Sequence, residues 1–254
     1  MIIDVVNLGW GVQSFTMAAM VAVGELPPID FAIHADTTHE RSATYDFAKQ
    51  YTPWLEARGV KIITVTSPNT EVVKNRNELP IPAFTISPTG KDGQLRRQCT
   101  DKWKIRPIRK YLRETYGKPK VRQWLGISLD EVQRMRMSDV KWIENVYPLI
   151  DKRMSRTGCI SWLQKNGLDV PEKSACIFCP YHNRNAWRDL KFETPDDFSR
   201  AVAADNAIRN ARPPYPCFVH PDRKPLETLD LRINTDHGQL SFLDAEECSG
   251  VCFL

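Results

Sequence analysis

Ile2-Ile3-Asp4-Val5-Val6-Asn7-Leu8-Gly9-Trp10-Gly11-Val12-Gln13-Ser14 opens the chain and decides its fold. Ile2 to Leu8 is an apolar run of strand length that breaks at Gly-Trp-Gly. A helix-like segment follows from Ser14 to Val23, with Ser14 available to cap it. Phe31 to Ala35 is a second buried strand, ending at Asp36. Residues 41–58 place Tyr45, Phe47, Ala48, Tyr51 and Leu55 near helical spacing. Residues 61–66 (KIITVT) are a third strand, rich in β-branched residues. Strand, helix, strand, helix, strand at this spacing predicts an α/β fold: a Rossmann-like parallel sheet with helices on both faces.

Beyond the third strand, residues 67–98 are proline-rich with little period, a pattern usual for functional or mobile loops. Residues 104–116 are expected to be a helix opened by basic residues, 121–127 (VRQWLGI) a fourth strand, 130–137 the start of another helix and 195–211 one more. From Met154 onward cysteines, prolines and short helices dominate. The expected division is a nucleotide-binding α/β domain over 1–150 and a Cys-rich region over 151–254 packed on it, ending in a mobile tail.

The chain has 254 residues, 42% of them hydrophobic, enough for a full core and unlike a disordered composition. No apolar stretch approaches the ~20 residues of a membrane span. The N-terminus lacks a basic region and a cleavage site, so it reads as a strand rather than a signal peptide. Net charge is +4, from 35 basic and 31 acidic residues, which by itself suits an ordinary solvated surface. The basic residues cluster between Lys91 and Arg113, which favours a phosphorylated ligand or a polyanion. Seven cysteines without a secretory signal point to reduced thiols in a cytoplasm and to metal or redox chemistry.

Glycines at 9 and 11 let the backbone turn tightly, and free N–H groups at the following helix start attract phosphate. Two glycines after a strand also suit a plain turn, and the stretch is neither a Walker A motif nor a full GxGxxG. Gly9-Trp10-Gly11-Val12-Gln13-Ser14 resembles the Ser-Gly-Gly-x-Asp-Ser loop of PP-loop ATP pyrophosphatases, in the variant of phosphoadenosine phosphosulfate (PAPS) reductase-like proteins where Gln replaces Asp. Trp10 departs from the small residue usual there. His34-Ala35-Asp36-Thr37-Thr38-His39-Glu40 is similar to that family's Asp-Thr-Gly-x-Glu stretch. Residues 97–107 (RQCTDKWKIRP), 126–134 (GISLDEVQR) and 174–180 (SACIFCP) resemble its Cys-Thr-x-x-x-Lys-x-x-Pro, Gly-Ile-x-x-Asp-Glu-x-x-Arg and Cys-x-x-Cys-Pro motifs, in the same order.

The resemblance implies an enzyme that binds ATP or a related adenine nucleotide with Mg²⁺ and uses it for adenylation with sulfur transfer, or for reduction of a sulfonucleotide. It implies nucleotide contacts from Gly9, Gly11, Gln13, Ser14, Asp36, Thr37, Glu40, Gly126 and Glu131, and phosphate or substrate contacts from Arg97, Lys104, Arg106 and Arg134. Each basic residue taken alone equally suits a solvated helix face. Cys176-x-x-Cys179 can chelate a metal from one turn, and with Cys99 and Cys159 it makes four thiolates, the number for a [4Fe–4S] cluster or a structural zinc. DNA phosphorothioation sulfurtransferases, cluster-dependent tRNA thiolases and assimilatory adenylylsulfate reductases are similar here and hold [4Fe–4S]. Cys217 suits a small apolar filler, and His182 a surface or supporting position.

The tail, Glu247-Cys248-Ser249-Gly250-Val251-Cys252, resembles the Glu-Cys-Gly segment that carries the nucleophilic thiol of sulfonucleotide reductases. That resemblance makes Cys248 and Cys252 the expected catalytic thiols; tail packing or metal ligation are the alternatives. Expected partners are the nucleotide, DNA or RNA as substrate and a sulfur-donor protein, with no membrane and a homo-oligomer left open. A nucleic-acid modification enzyme of the same fold and a non-catalytic zinc-stapled binding module are the competing readings, and Trp10 is the residue that argues for the second.

Overall fold

In the computed structural model, residues 2–73 and 78–232 are described. The strands and helices run β1 (Ile2–Asn7), α1 (Val12–Ala22), β2 (Phe31–Asp36), α2 (Ser42–Glu56), β3 (Ile62–Thr66), β4 (Phe84–Ile86), β5 (Asp92–Gln94), α3 (Arg106–Tyr116), β6 (Lys120–Trp124), β7 (Ile143–Val146), α4 (Pro148–Asp151), α5 (Arg156–Lys165), α6 (Arg184–Phe192), α7 (Pro195–Ile208) and β8 (Cys217–Phe218). A π-helical turn, Thr100–Ile105, leads into α3, and 3₁₀ turns lie at Leu129–Arg134 and Leu226–Thr228.

Two compact units share these elements: residues 2–68 with 103–174, and residues 69–73 and 78–102 with 175–232. The partition expected at 150/151 differs, because α5 packs on α1 and so lies in the first unit.

The first unit is built on a five-stranded sheet in the order β3-β2-β1-β6-β7, every neighbouring pair parallel. Strand alternation divides its apolar side chains between two cores. Ile3 and Val5 of β1, with Phe31, Ile33 and Val121, face Ile108 and Leu112 of α3. Val6, Ala32 and Trp124 face the opposite way, into a core with Phe15 and Met17 of α1, Tyr51 and Leu55 of α2, Leu149 of α4 and Leu163 of α5. Helices therefore cover both faces, and burial on both sides is why β1 and β2 read as near-continuous apolar runs. This is the α/β, Rossmann-like architecture that the opening stretch predicts.

The second unit has a three-stranded antiparallel sheet, β5-β4-β8, with α6 and α7. The β4–β5 hairpin lies inside the proline-rich segment read as a loop; each strand has only three residues, too few to show a period. Asp205 of α7 is fully buried and accepts from Val219 N (2.9 Å), Leu226 N (3.1 Å) and the Arg209 guanidinium, holding the turns around β8 to the helix. No helix among the described residues is long and apolar enough to cross a membrane.

Candidate functional site

Strand order reverses at β1, with β2 on one side and β6 on the other. Open α/β sheets take ligands at the carboxyl ends of strands beside such a reversal. The loop leaving β1 here runs straight into α1. Gly11 is the N-cap of that helix, with extended backbone (φ −89°, ψ 170°) and no side-chain cap. Ser14, expected as the cap, instead sits inside the first turn. Its Oγ accepts from Gly9 N (3.1 Å) and donates to Gly11 O (3.2 Å), stapling the loop to the helix.

The two glycines that matter act differently. A Cβ on Gly126 would lie 2.8 Å from Ser14 N and 2.9 Å from Ser14 Cα, so only glycine lets the loop after β6 rest on the first turn of α1. A Cβ on Gly11 would meet nothing nearer than the Ser174 Cβ at 3.7 Å, an ordinary contact. Gly126 is needed for packing, and Gly11 leaves space at the helix start.

Trp10 takes the left-handed backbone conformation, φ +59°, which costs a non-glycine residue ~1–2 kcal/mol. Its ring is buried, 6.4 Å from Phe15, 6.4 Å from His34 and 6.5 Å from Phe47. Burying about 200 Å² of ring surface at ~25 cal/mol per Å² outweighs that cost. The indole thus belongs to the core and does not cover the glycine turn.

Around the turn the polar side chains form two linked sets. In one, Gln13 donates through Nε2 to Ser128 Oγ (3.3 Å) and Glu131 Oε2 (3.2 Å), while its Oε1 accepts from Arg156 Nη1 (3.2 Å). Arg134 donates to the other Glu131 oxygen at 2.6 Å. In the other, buried Glu40 accepts from Lys104 Nζ (3.2 Å) and from Ser174 Oγ (3.2 Å). Asp36 Oδ1 accepts from Thr38 N (2.7 Å) and Tyr45 OH (2.9 Å), and Thr37 is buried beside it in sequence. Burial, then the bond to Asp36, raises the Tyr45 phenol well above its ordinary range. His34 is buried with Nδ1 2.9 Å from Leu8 O, and burial holds its imidazole below the ordinary value.

The first unit thus joins Gly9, Gly11, Gln13, Ser14, Glu40, Lys104, Gly126, Glu131 and Arg134 through these contacts. Arg106 opens α3 and is exposed. Arg97 belongs to the second unit, where it donates to Thr100 Oγ1. Cys248 and Cys252 lie outside the described residues. Sequence reasoning assigned no role to Ser128, Ser174 or Arg156. The two serines fall inside quoted motifs, but Arg156 lies in none, and only the fold brings it to Gln13.

The cysteines separate by environment. Cys99, Cys176 and Cys179 are partly exposed and share the second unit. Cys179 N donates to Cys176 O at 3.0 Å, closing the turn, and His182 Nε2 lies 2.9 Å from the same carbonyl. His182 packs edge-on to the buried Trp187 at 4.8 Å. Cys159 is fully buried in the α1–α5 core of the first unit, and burial pushes its thiol up to about 12. Full burial among apolar side chains of α1 and α5 suits Cys159 as an apolar filler. Cys217 is likewise buried, its thiol raised by burial and donating to Tyr215 O (3.5 Å). Among the described residues no three His, Cys, Asp or Glu side chains are gathered as a metal site.

No family model matches the chain, and no curated protein matches it. Among solved structures, phosphoadenylyl-sulfate (PAPS) reductase from Candida auris, in a phosphate complex, is similar over 67% of this chain and 75% of its own, at 12% identity and a TM-score of 0.43. That likeness is too distant to bear on activity or substrate. The α/β assignment rests on the chain's own sheet.

Proposed function

We propose that the first unit binds an adenine nucleotide with its phosphates at the start of α1, and that the chain is an enzyme of the PP-loop, PAPS reductase-like kind. One observation carries this reading: at the strand-order reversal, an uncapped helix start faces a position where Gly11 leaves room that a side chain would fill. Uncapped N–H groups and the helix dipole favour an anion there. The nucleotide supplies phosphates for that position, and Mg²⁺ accompanies them. Adenylation, or reduction of a sulfonucleotide, is the chemistry proposed for the bound ligand.

With this goes a metal centre in the second unit, built on the Cys176–Cys179 turn with Cys99 as a further donor, iron–sulfur or zinc. Its support is the spacing, the closed turn and the partial exposure of these thiols. Cys159 is left out because its side chain is fully buried in the apolar core of the first unit.

The deciding experiment replaces Gly11 with Val. The added Cβ would meet nothing nearer than the Ser174 Cβ at 3.7 Å, and the melting temperature shows whether the fold tolerates the rest of the side chain. The wild-type chain should bind ATP or a sulfonucleotide, and Gly11→Val should weaken binding more than tenfold with an unchanged melting temperature. Equal affinity of both proteins for every adenine nucleotide tested overturns the reading.

A further inference from the structure

The cations at this site differ in what already holds them. Lys104 is ion-paired with Glu40 and Arg134 with Glu131, so a ligand phosphate has to compete with a carboxylate for either one. Arg156 is different. Its guanidinium makes one hydrogen bond, through Nη1, to the neutral Gln13 amide, and it has no carboxylate partner among the described residues. Gln13 is the second residue of α1, so that guanidinium stands beside the first turn of a helix whose N-cap, Gly11, makes no side-chain cap bond. Arginine carries five N–H donors in a planar fork that matches phosphate oxygens. The backbone holding it is fixed: Arg156 N donates to Asp130 Oδ1 (2.9 Å), and Ser155 Oγ caps α5 by accepting from Gly158 N (3.0 Å).

We infer that Arg156 is a phosphate-binding residue of this site, its fork taking a phosphate oxygen of the nucleotide beside the start of α1. The inference rests on the nucleotide reading above and adds to it the residue that distinguishes phosphorylated ligands from nucleosides. Gln13, with both ends of its amide engaged, becomes the strut that aims the guanidinium rather than a phosphate donor.

The test is calorimetric titration of the full chain, wild type, R156Q and R156K, with ATP and with adenosine. Loss of one charge-assisted hydrogen bond predicts ATP affinity about 10- to 100-fold weaker in R156Q. Adenosine affinity should stay as in wild type, with R156K intermediate for ATP. Undiminished ATP affinity in R156Q overturns the inference, as does an equal loss for ATP and adenosine, which marks a merely structural role. Where R156Q melts well below wild type, R156K carries the test: it should lose ATP affinity and none for adenosine, and equal losses again overturn the inference. Where wild type binds no adenine nucleotide, inorganic pyrophosphate is titrated instead. Pyrophosphate binding that R156Q weakens keeps Arg156 and overturns the nucleotide reading; no pyrophosphate binding overturns both.

Discussion

Gly126 and Glu40 carry the clearest consequences of a single side chain. A methyl group at 126 collides with the Ser14 backbone, which cannot rotate away. Gly126→Ala should therefore cost ~1–3 kcal/mol of stability by overpacking and weaken nucleotide binding, read by urea denaturation and titration together. Glu40 is buried and bonds Lys104 and Ser174, so Glu40→Ala removes both bonds and should cost ~1–3 kcal/mol, with Glu40→Gln milder. At Cys159 burial pushes the thiol up to about 12, so it stays protonated at neutral pH. Iodoacetamide should label Cys176 and Cys179 well before Cys159 and Cys217. Anaerobically purified Cys159→Ala should keep all the metal of wild type while Cys176→Ala loses it, and the reverse would restore Cys159 as a ligand. His34 and His220 are both held below their ordinary value by burial. Unfolded histidines take up protons below about pH 6.5 while these folded ones resist, so their contribution is full above that pH and declines as pH falls. The urea midpoint should drop between pH 7 and pH 5, and less so in His34→Gln. At this scale the sequence pointed well to glycines, because missing side chains leave a backbone signature. It was silent on Arg156, whose proposed role rests on a contact across 143 positions of chain.

Elements long enough to show a period were legible, and short ones were not. β1, β2, β3 and α2 fall within a few residues of their expected limits because burial writes itself into consecutive side chains. α1 starts at Val12, two residues before the Ser14 expected to cap it, since an extended Gly11 begins a helix without a side-chain cap. The helix expected over 130–137 is a 3₁₀ turn ending at Arg134, with extended backbone at Met135 and Met137 exposed. Glu131, at φ −113° and ψ 19°, leaves helical geometry where Gln13 and Arg134 hold its carboxylate. β7, of four residues, gives no run to read. In the second unit, α7 depends on Asp205, which answers two backbone N–H groups and Arg209. Asp205→Ala should cost ~3 kcal/mol, measured as a fall in the denaturation midpoint, whereas exposed Asp222→Ala should cost little.

At the scale of the whole chain, residues distant in sequence come to share a unit. The first unit closes only when residues 103–174 join 2–68, and the second when 69–73 and 78–102 join 175–232. A boundary drawn once along the sequence could not show this, because each unit is made of two separated segments. The proposed function belongs to the first unit: a parallel sheet, a reversal of strand order at β1, and the start of α1, the phosphate position proposed above, with Arg156 bonded to Gln13 there. Hydrogen–deuterium exchange of the full chain, with and without saturating adenine nucleotide, tests that claim most directly. The account predicts slowed exchange concentrated at residues 8–14 and 126–134, with the 37–40 loop following. Exchange unchanged at 8–14, or protection confined to other segments, would contradict it.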